Sequence, residues 1–164
     1  MPTWNTRFSI ALGTAKGLAY VHEECEEKIV HCDIKPENVL LDDNFVAKVS
    51  DFGLSTLMNR EESSVHTTLR GTRGYLAPEW ITNYAISEKS DVYSYVMVFL
   101  EIIGGKRNFD PGAVPRKATF LLNYAFNLLE KGNMRQFLDP DLDVDENDER
   151  VMVLNGRSGA HSTS

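Results

Sequence analysis

Three short clusters bring chemically active side chains together along the chain. In His31-Cys32-Asp33-Ile34-Lys35-Pro36-Glu37-Asn38 a carboxylate, an ammonium and an amide are packed into one short stretch. Further on come Asp51-Phe52-Gly53 and then Ala77-Pro78-Glu79. A carboxylate can accept a proton, a lysine presents a point positive charge, and carboxylate and amide oxygens are hard ligands for a divalent cation. Taken alone, the first cluster is read equally well as a solvated turn. The later two clusters decide between these readings.

The elements that must position these residues follow from periodicity. Phe8, Ile10, Ala11, Leu12, Ala15, Leu18, Ala19 and Val21 recur at three and four, which predicts a helix over 7–25 with one broad buried face, weakened by Gly13 and Gly17. Short β-type runs follow at 28–31, 39–41 and 45–49, and Asp42, Asp43 and Asn44 make a turn between the last two, so a small hairpin is expected beside the first cluster. Residues 59–68 are polar and aperiodic and read as a mobile surface loop carrying the modifiable hydroxyls Ser63, Ser64, Thr67 and Thr68. Residues 91–103 are apolar on nearly every face, which predicts a helix buried all round and stopped by Gly104 and Gly105. An amphipathic helix fits 119–131, with Gly132 as its stop. The domain is expected to span 1–151, with 152–164 as a polar tail that does not pack.

Composition narrows the function classes. The chain has 164 residues, 42% hydrophobic and 25% charged, an ordinary globular balance for one domain. A net charge of -7 offers no basic field for nucleic acid or anionic lipid. Only Cys25 and Cys32 are present, outside any zinc-type spacing, which points to reduced thiols and a cytoplasmic chain. The apolar run 96–100 ends at Glu101, far short of the roughly 20 residues of a membrane span.

His-x-Asp-x-x-x-x-Asn, Asp-Phe-Gly and Ala-Pro-Glu in this order and separation resemble the protein-kinase signature set. Any one of them is weak; three in register are specific. The resemblance covers about 4–151, and Gly71-Thr72-Arg73-Gly74-Tyr75-Leu76-Ala77-Pro78-Glu79-Trp80 is similar to plant receptor-like serine/threonine kinases of the lectin S-domain group. The resemblance implies the mainly α-helical large (C-terminal) lobe of a kinase with a small β-hairpin, truncated at both ends. It implies ATP and Mg2+ as cofactors, a protein substrate or other kinases as partners, and full-length relatives anchored at the cytosolic side of a membrane. Residue by residue, Asp33 would take the proton of the substrate hydroxyl, Asn38 and Asp51 would ligate Mg2+, and Lys35 would lie against the γ-phosphate. Lysine two positions after the aspartate is the serine/threonine pattern. Asp91 would brace the loop that carries Asp33, Thr72 would belong to the substrate-side loop, and His31 and Phe52 would be packing residues.

The sequence departs from that pattern in several places. Cys32 stands where most of these kinases have arginine, and a thiol cannot pair with phosphate as a guanidinium does, so the loop hydroxyls are not expected to be an obligatory switch. No Gly-x-Gly-x-x-Gly or Val-Ala-Ile-Lys motif is present, which predicts little or no kinase activity for this chain alone. Glu79 is expected to lack the arginine that pairs with it in the family, and Val96 to overpack a helix contact where relatives have glycine. The alternatives are a catalytically dead, kinase-like interaction module or a truncated gene product.

Overall fold

The computed structural model describes residues 1–68, 70–82, 85–108 and 118–156. Five α-helices and four short strands make up the described part: α1 (Trp4–Ala19), β1 (Lys28–Val30), β2 (Val39–Leu41), β3 (Ala47–Val49), β4 (Thr56–Met58), α2 (Pro78–Ile81), α3 (Glu88–Gly104), α4 (Ala118–Glu130) and α5 (Glu149–Leu154).

Helix α1 starts where the Thr3 hydroxyl accepts the Thr6 amide. It does not run on to residue 25 as an α-helix. Tyr20–Glu24 is a π-turn, and it buries Val21 and His22. Such one-turn π segments re-aim side chains. The two glycines that weakened the expected helix have a packing role: a Cβ on Gly13 would lie 3.3 Å from the Ala47 Cβ, and one on Gly17 would lie 3.1 Å from a Val49 methyl. Glycine lets strand β3 approach the helix backbone closely.

The expected hairpin is present as β2 and β3, antiparallel with Val39 opposite Val49. Its turn is longer than the sequence suggested, because the Asp42 carboxylate accepts the amides of both Asn44 and Val46, and Phe45 takes a positive φ of 59°. A second antiparallel pair, β1 with β4, aligns Lys28 with Met58.

Helix α3 lies at the centre. Leu100 and Ile103 join a cluster with Trp4, Leu121, Ala125, Leu128, Phe137 and Val151. Met97 and Val98 join Leu18, Val21, Ile34 and Tyr75. Its expected burial on all sides is corrected: Val92 is 50% and Val96 36% exposed, while Ser90, Asp91, Ser94 and Glu101 are buried. Val96, expected to overpack a helix contact, is 36% exposed and belongs to none of the buried clusters among the described residues. Ser87 caps the helix and Gly105 closes it in the left-handed region.

The expected domain end at 151 falls inside α5, where Val151 is 3% exposed and Leu154 packs on the first cluster. Apolar side chains at helical spacing thus carry ordered chain through Leu154. Residues 157–164 of the expected tail lie outside the described residues.

Candidate active site

Asp33, Lys35, Asn38 and Thr72 converge on one point. Thr72 donates its hydroxyl to Asp33 Oδ1 at 2.6 Å, and Lys35 Nζ reaches Asp33 Oδ2 at 2.9 Å and Thr72 Oγ1 at 3.0 Å. Asn38 Nδ2 donates to the Asp33 carbonyl at 2.8 Å and to its Oδ2 at 3.2 Å. Asp33 and Asn38 are buried and Lys35 is partly exposed. A carboxylate offers about four acceptor positions, and these contacts take three of them.

The loop that carries Asp33 is held from below by Asp91. That carboxylate is 1% exposed; its Oδ2 accepts the His31 amide at 2.7 Å and bonds His22 Nε2 at 2.8 Å, and its Oδ1 accepts the Cys32 amide at 2.9 Å. Cys32 has a φ of 69°, a conformation that costs a non-glycine residue about 1–2 kcal/mol, and the Asp91 bond to its amide is what holds it there. Burial, then the Asp91 charge, push the Cys32 thiol up from 9.0 to about 12. His31 is fully buried: its Nε2 bonds the Ser50 carbonyl at 2.8 Å, so that nitrogen carries the proton, and its Nδ1 accepts the Asp33 amide at 3.2 Å. Phe52 lies against the His31 ring, centroids 4.8 Å apart.

Asp51 is exposed and sits apart from the Asp33 cluster, but hairpin register brings it to the same end of the loop. With Val39 opposite Val49, the Ser50 amide donates to the Asn38 carbonyl at 2.9 Å, and Asp51 is the next residue. Asp51 takes φ 60°, stabilised by its own Oδ1 accepting the Gly53 amide at 3.3 Å. Its second carboxylate oxygen and the Asn38 amide oxygen are hard donors with no hydrogen bond among the described residues. Among the described residues no three His, Cys, Asp or Glu side chains gather to cage a metal. Two protein oxygens still suit Mg2+, which keeps most of its shell as water and phosphate oxygen.

The remaining expected residues are dispersed. Ser63, Ser64 and Thr68 are exposed and Thr67 half-buried, along a loop pinned to the chain before α3 by the Val65–Ile86 bridge. Glu79, expected to lack the family's arginine partner, accepts the Ser90 hydroxyl on Oε1 at 2.8 Å and is only partly buried, so it is not the buried carboxylate with nothing to pair with that the sequence suggested. His22 and Glu101 escaped the sequence reading. Their roles arise from contacts across 69 and 26 residues, for which no local pattern exists.

Residues 2–139 match the protein kinase domain. The chain belongs to the protein kinase family. This kinase segment is 66% identical over 149 residues to the G-type lectin S-receptor-like serine/threonine-protein kinase SD2-5 of Arabidopsis thaliana, a match covering 90% of the segment and 18% of that relative. It is 49% identical over 156 residues to SD2-2 of the same plant, covering 91% of the segment and 20% of the relative. It is 47% identical over 150 residues to LECRK1 of Oryza sativa subsp. japonica, covering 92% and 18%. The segment therefore spans about a fifth of the length of these curated relatives. The mainly helical fold with its short antiparallel pairs is that of a kinase-like lobe, and kinases as a family use ATP and Mg2+ on protein substrates. No helix among the described residues is long and apolar enough to cross a membrane.

Proposed function

We propose that this segment supplies the catalytic loop and acceptor side of an ATP-dependent serine/threonine protein kinase acting on the cytosolic side of a receptor-like protein. The observation that carries the reading is the engagement of Asp33, which commits three acceptor positions to Thr72, Lys35 and Asn38 and keeps one on Oδ1 for an incoming hydroxyl. Asp33 orients that hydroxyl and takes its proton at Oδ1 as the oxygen commits to phosphorus. Lys35 adds a positive charge that stays in place because Thr72 and Asp33 both hold it. Asn38 and Asp51 would hold Mg2+, which would supply positive charge to neutralise the phosphates. Asp91 keeps Asp33 in register, and the Thr72 hydroxyl couples the loop to the substrate-side segment.

The test places this segment within a complete kinase domain and measures phosphate transfer from ATP to serine, threonine and tyrosine peptides. The expected result is Mg2+-dependent transfer to serine and threonine that falls by about 10²–10⁴ in Asp33→Asn, the range attributed to positioned proton transfer. Undiminished transfer in Asp33→Asn, or a preference for tyrosine, would overturn the assignment. Retained peptide binding without transfer in the parent protein would favour the interaction-module reading.

A further inference from the structure

Where the chain leaves α3, one buried side chain reaches the segment that carries Thr72. Asn108 is 2% exposed, although Lys106 and Arg107 before it face solvent. Its backbone amide donates to Glu101 Oε1 at 2.6 Å, and its Nδ2 donates to the Gly74 carbonyl at 2.6 Å across 34 residues. Its Oδ1 is buried with no partner among the described residues. A buried amide oxygen left alone is destabilising, so an apolar side chain of the same shape would fill this place at less cost. Such a side chain could not donate to Gly74. The segment that receives the bond needs it. Gly71 and Gly74 take φ of 110° and 95°, so the backbone between them has little preference of its own and depends on outside bonds for its course. At one end Gly71 is pressed on the Asp33 loop, where a Cβ would lie 2.8 Å from the Cys32 carbonyl oxygen. At the other end Ser94 holds the Tyr75 carbonyl, Glu101 holds the Tyr75 hydroxyl, and Asn108 holds the Gly74 carbonyl. Between the two ends lies Thr72, with its hydroxyl on Asp33 Oδ1 at 2.6 Å and its carbonyl accepting the Tyr75 amide at 3.2 Å.

We propose that Asn108 is a positioning residue for phosphate transfer: by holding the Gly74 carbonyl it keeps the Thr72 hydroxyl on Asp33, and so aims that carboxylate at the incoming hydroxyl. The inference rests on the reading of Asp33 as the acceptor position. With the tether in place the turn from Thr72 to Tyr75 has one course. Without it the Gly74 carbonyl is free to rotate, two glycines admit other courses, and Thr72 leaves Asp33 for part of the time. Asn108 touches neither substrate nor reacting atoms. Its loss therefore lowers the share of molecules in reactive geometry and leaves nucleotide binding as it is.

The test is Asn108→Leu, which keeps the packing and removes the donor, made in a complete kinase domain that carries this segment. For a serine peptide kcat is expected to fall about tenfold, with KM for ATP unchanged within about twofold. In a Thr72→Ala background the same substitution is expected to cost less than about twofold, because the contact it serves is already gone. An unchanged kcat, or an undiminished loss in the Thr72→Ala background, overturns the proposal. A second readout needs no transfer and uses the 164-residue chain without nucleotide. There the NMR signal of the Thr72 methyl is expected to move in Asn108→Leu in the direction that Asp33→Asn moves it. A signal that responds to Asp33→Asn and stays in place in Asn108→Leu also overturns the proposal. Asn108→Asp, of the same size and without a donor when ionised, takes the place of Asn108→Leu in each arm if the latter does not fold. A parent domain that transfers no phosphate would count against the reading of Asp33, and the methyl signal would still decide the role of Asn108.

Discussion

Cys32 combines three features: a positive φ, a buried thiol and an amide that bonds to Asp91. Its thiol is pushed up from 9.0 to about 12, so the folded state holds that proton more tightly than the unfolded chain does. The associated stability is fully present below pH 9 and is lost as pH rises from 9 toward about 12. In denaturant titrations across that window the native chain is expected to lose stability faster than Cys32→Ala. Parallel curves for the two would show that the thiol titrates no differently when folded. The absence of arginine at this position was evident from the sequence; the strained backbone and its carboxylate brace were not, because both depend on a helix far along the chain.

At the scale of elements, the loop after Asp51 is fastened by Arg60 in addition to the packing of Cys32 with Met58. Arg60 donates to the carbonyls of Glu23, Cys25 and Glu26, where the π-turn ends and carbonyls are left without helical partners. Arg60→Ala is expected to raise amide exchange across strand β4 (Thr56–Met58) relative to the hairpin β2–β3. Unchanged exchange there would mean that β1–β4 pairing alone holds the loop. The hairpin was legible because Asp42, Asp43 and Asn44 announce a turn between two β-type runs. Strand β4 was not, since three residues paired with a strand far upstream carry no local signal. The length of α1 was overread for a related reason: the apolar period continues through Val21, while the π-turn is fixed by the contact of His22 with Asp91.

At the scale of the whole molecule, α3 both fills the core and braces the site. Its apolar sequence suggested burial on every side, yet the groups it buries most usefully are polar: Asp91 on the loop that carries Asp33, Ser94 on the Tyr75 carbonyl and Glu101 on the Tyr75 hydroxyl. Asp91→Ala would leave two amides and an imidazole unpaired in the interior, and is expected to cost about 3–5 kcal/mol, a large part of an ordinary domain's stability. Thermal unfolding measures this directly, and a small loss would mean that water replaces the carboxylate. The types of the candidate site residues and their order were readable from three motifs. Their mutual engagement was not, because the contact from Thr72 to Asp33 closes across 39 residues.

The brace from Asp91 reaches His31 and Cys32 across 60 and 59 residues. A chain emerging from the ribosome has every residue of the Asp33 loop before it has α3, and in that interval the Asp91 bond that holds the Cys32 backbone in its strained form is missing. The loop carrying Asp33 therefore gains its braced geometry only after the central helix has been made and docked. Synthesis order and fold together leave the Asp33 loop unbraced until the central helix is in place.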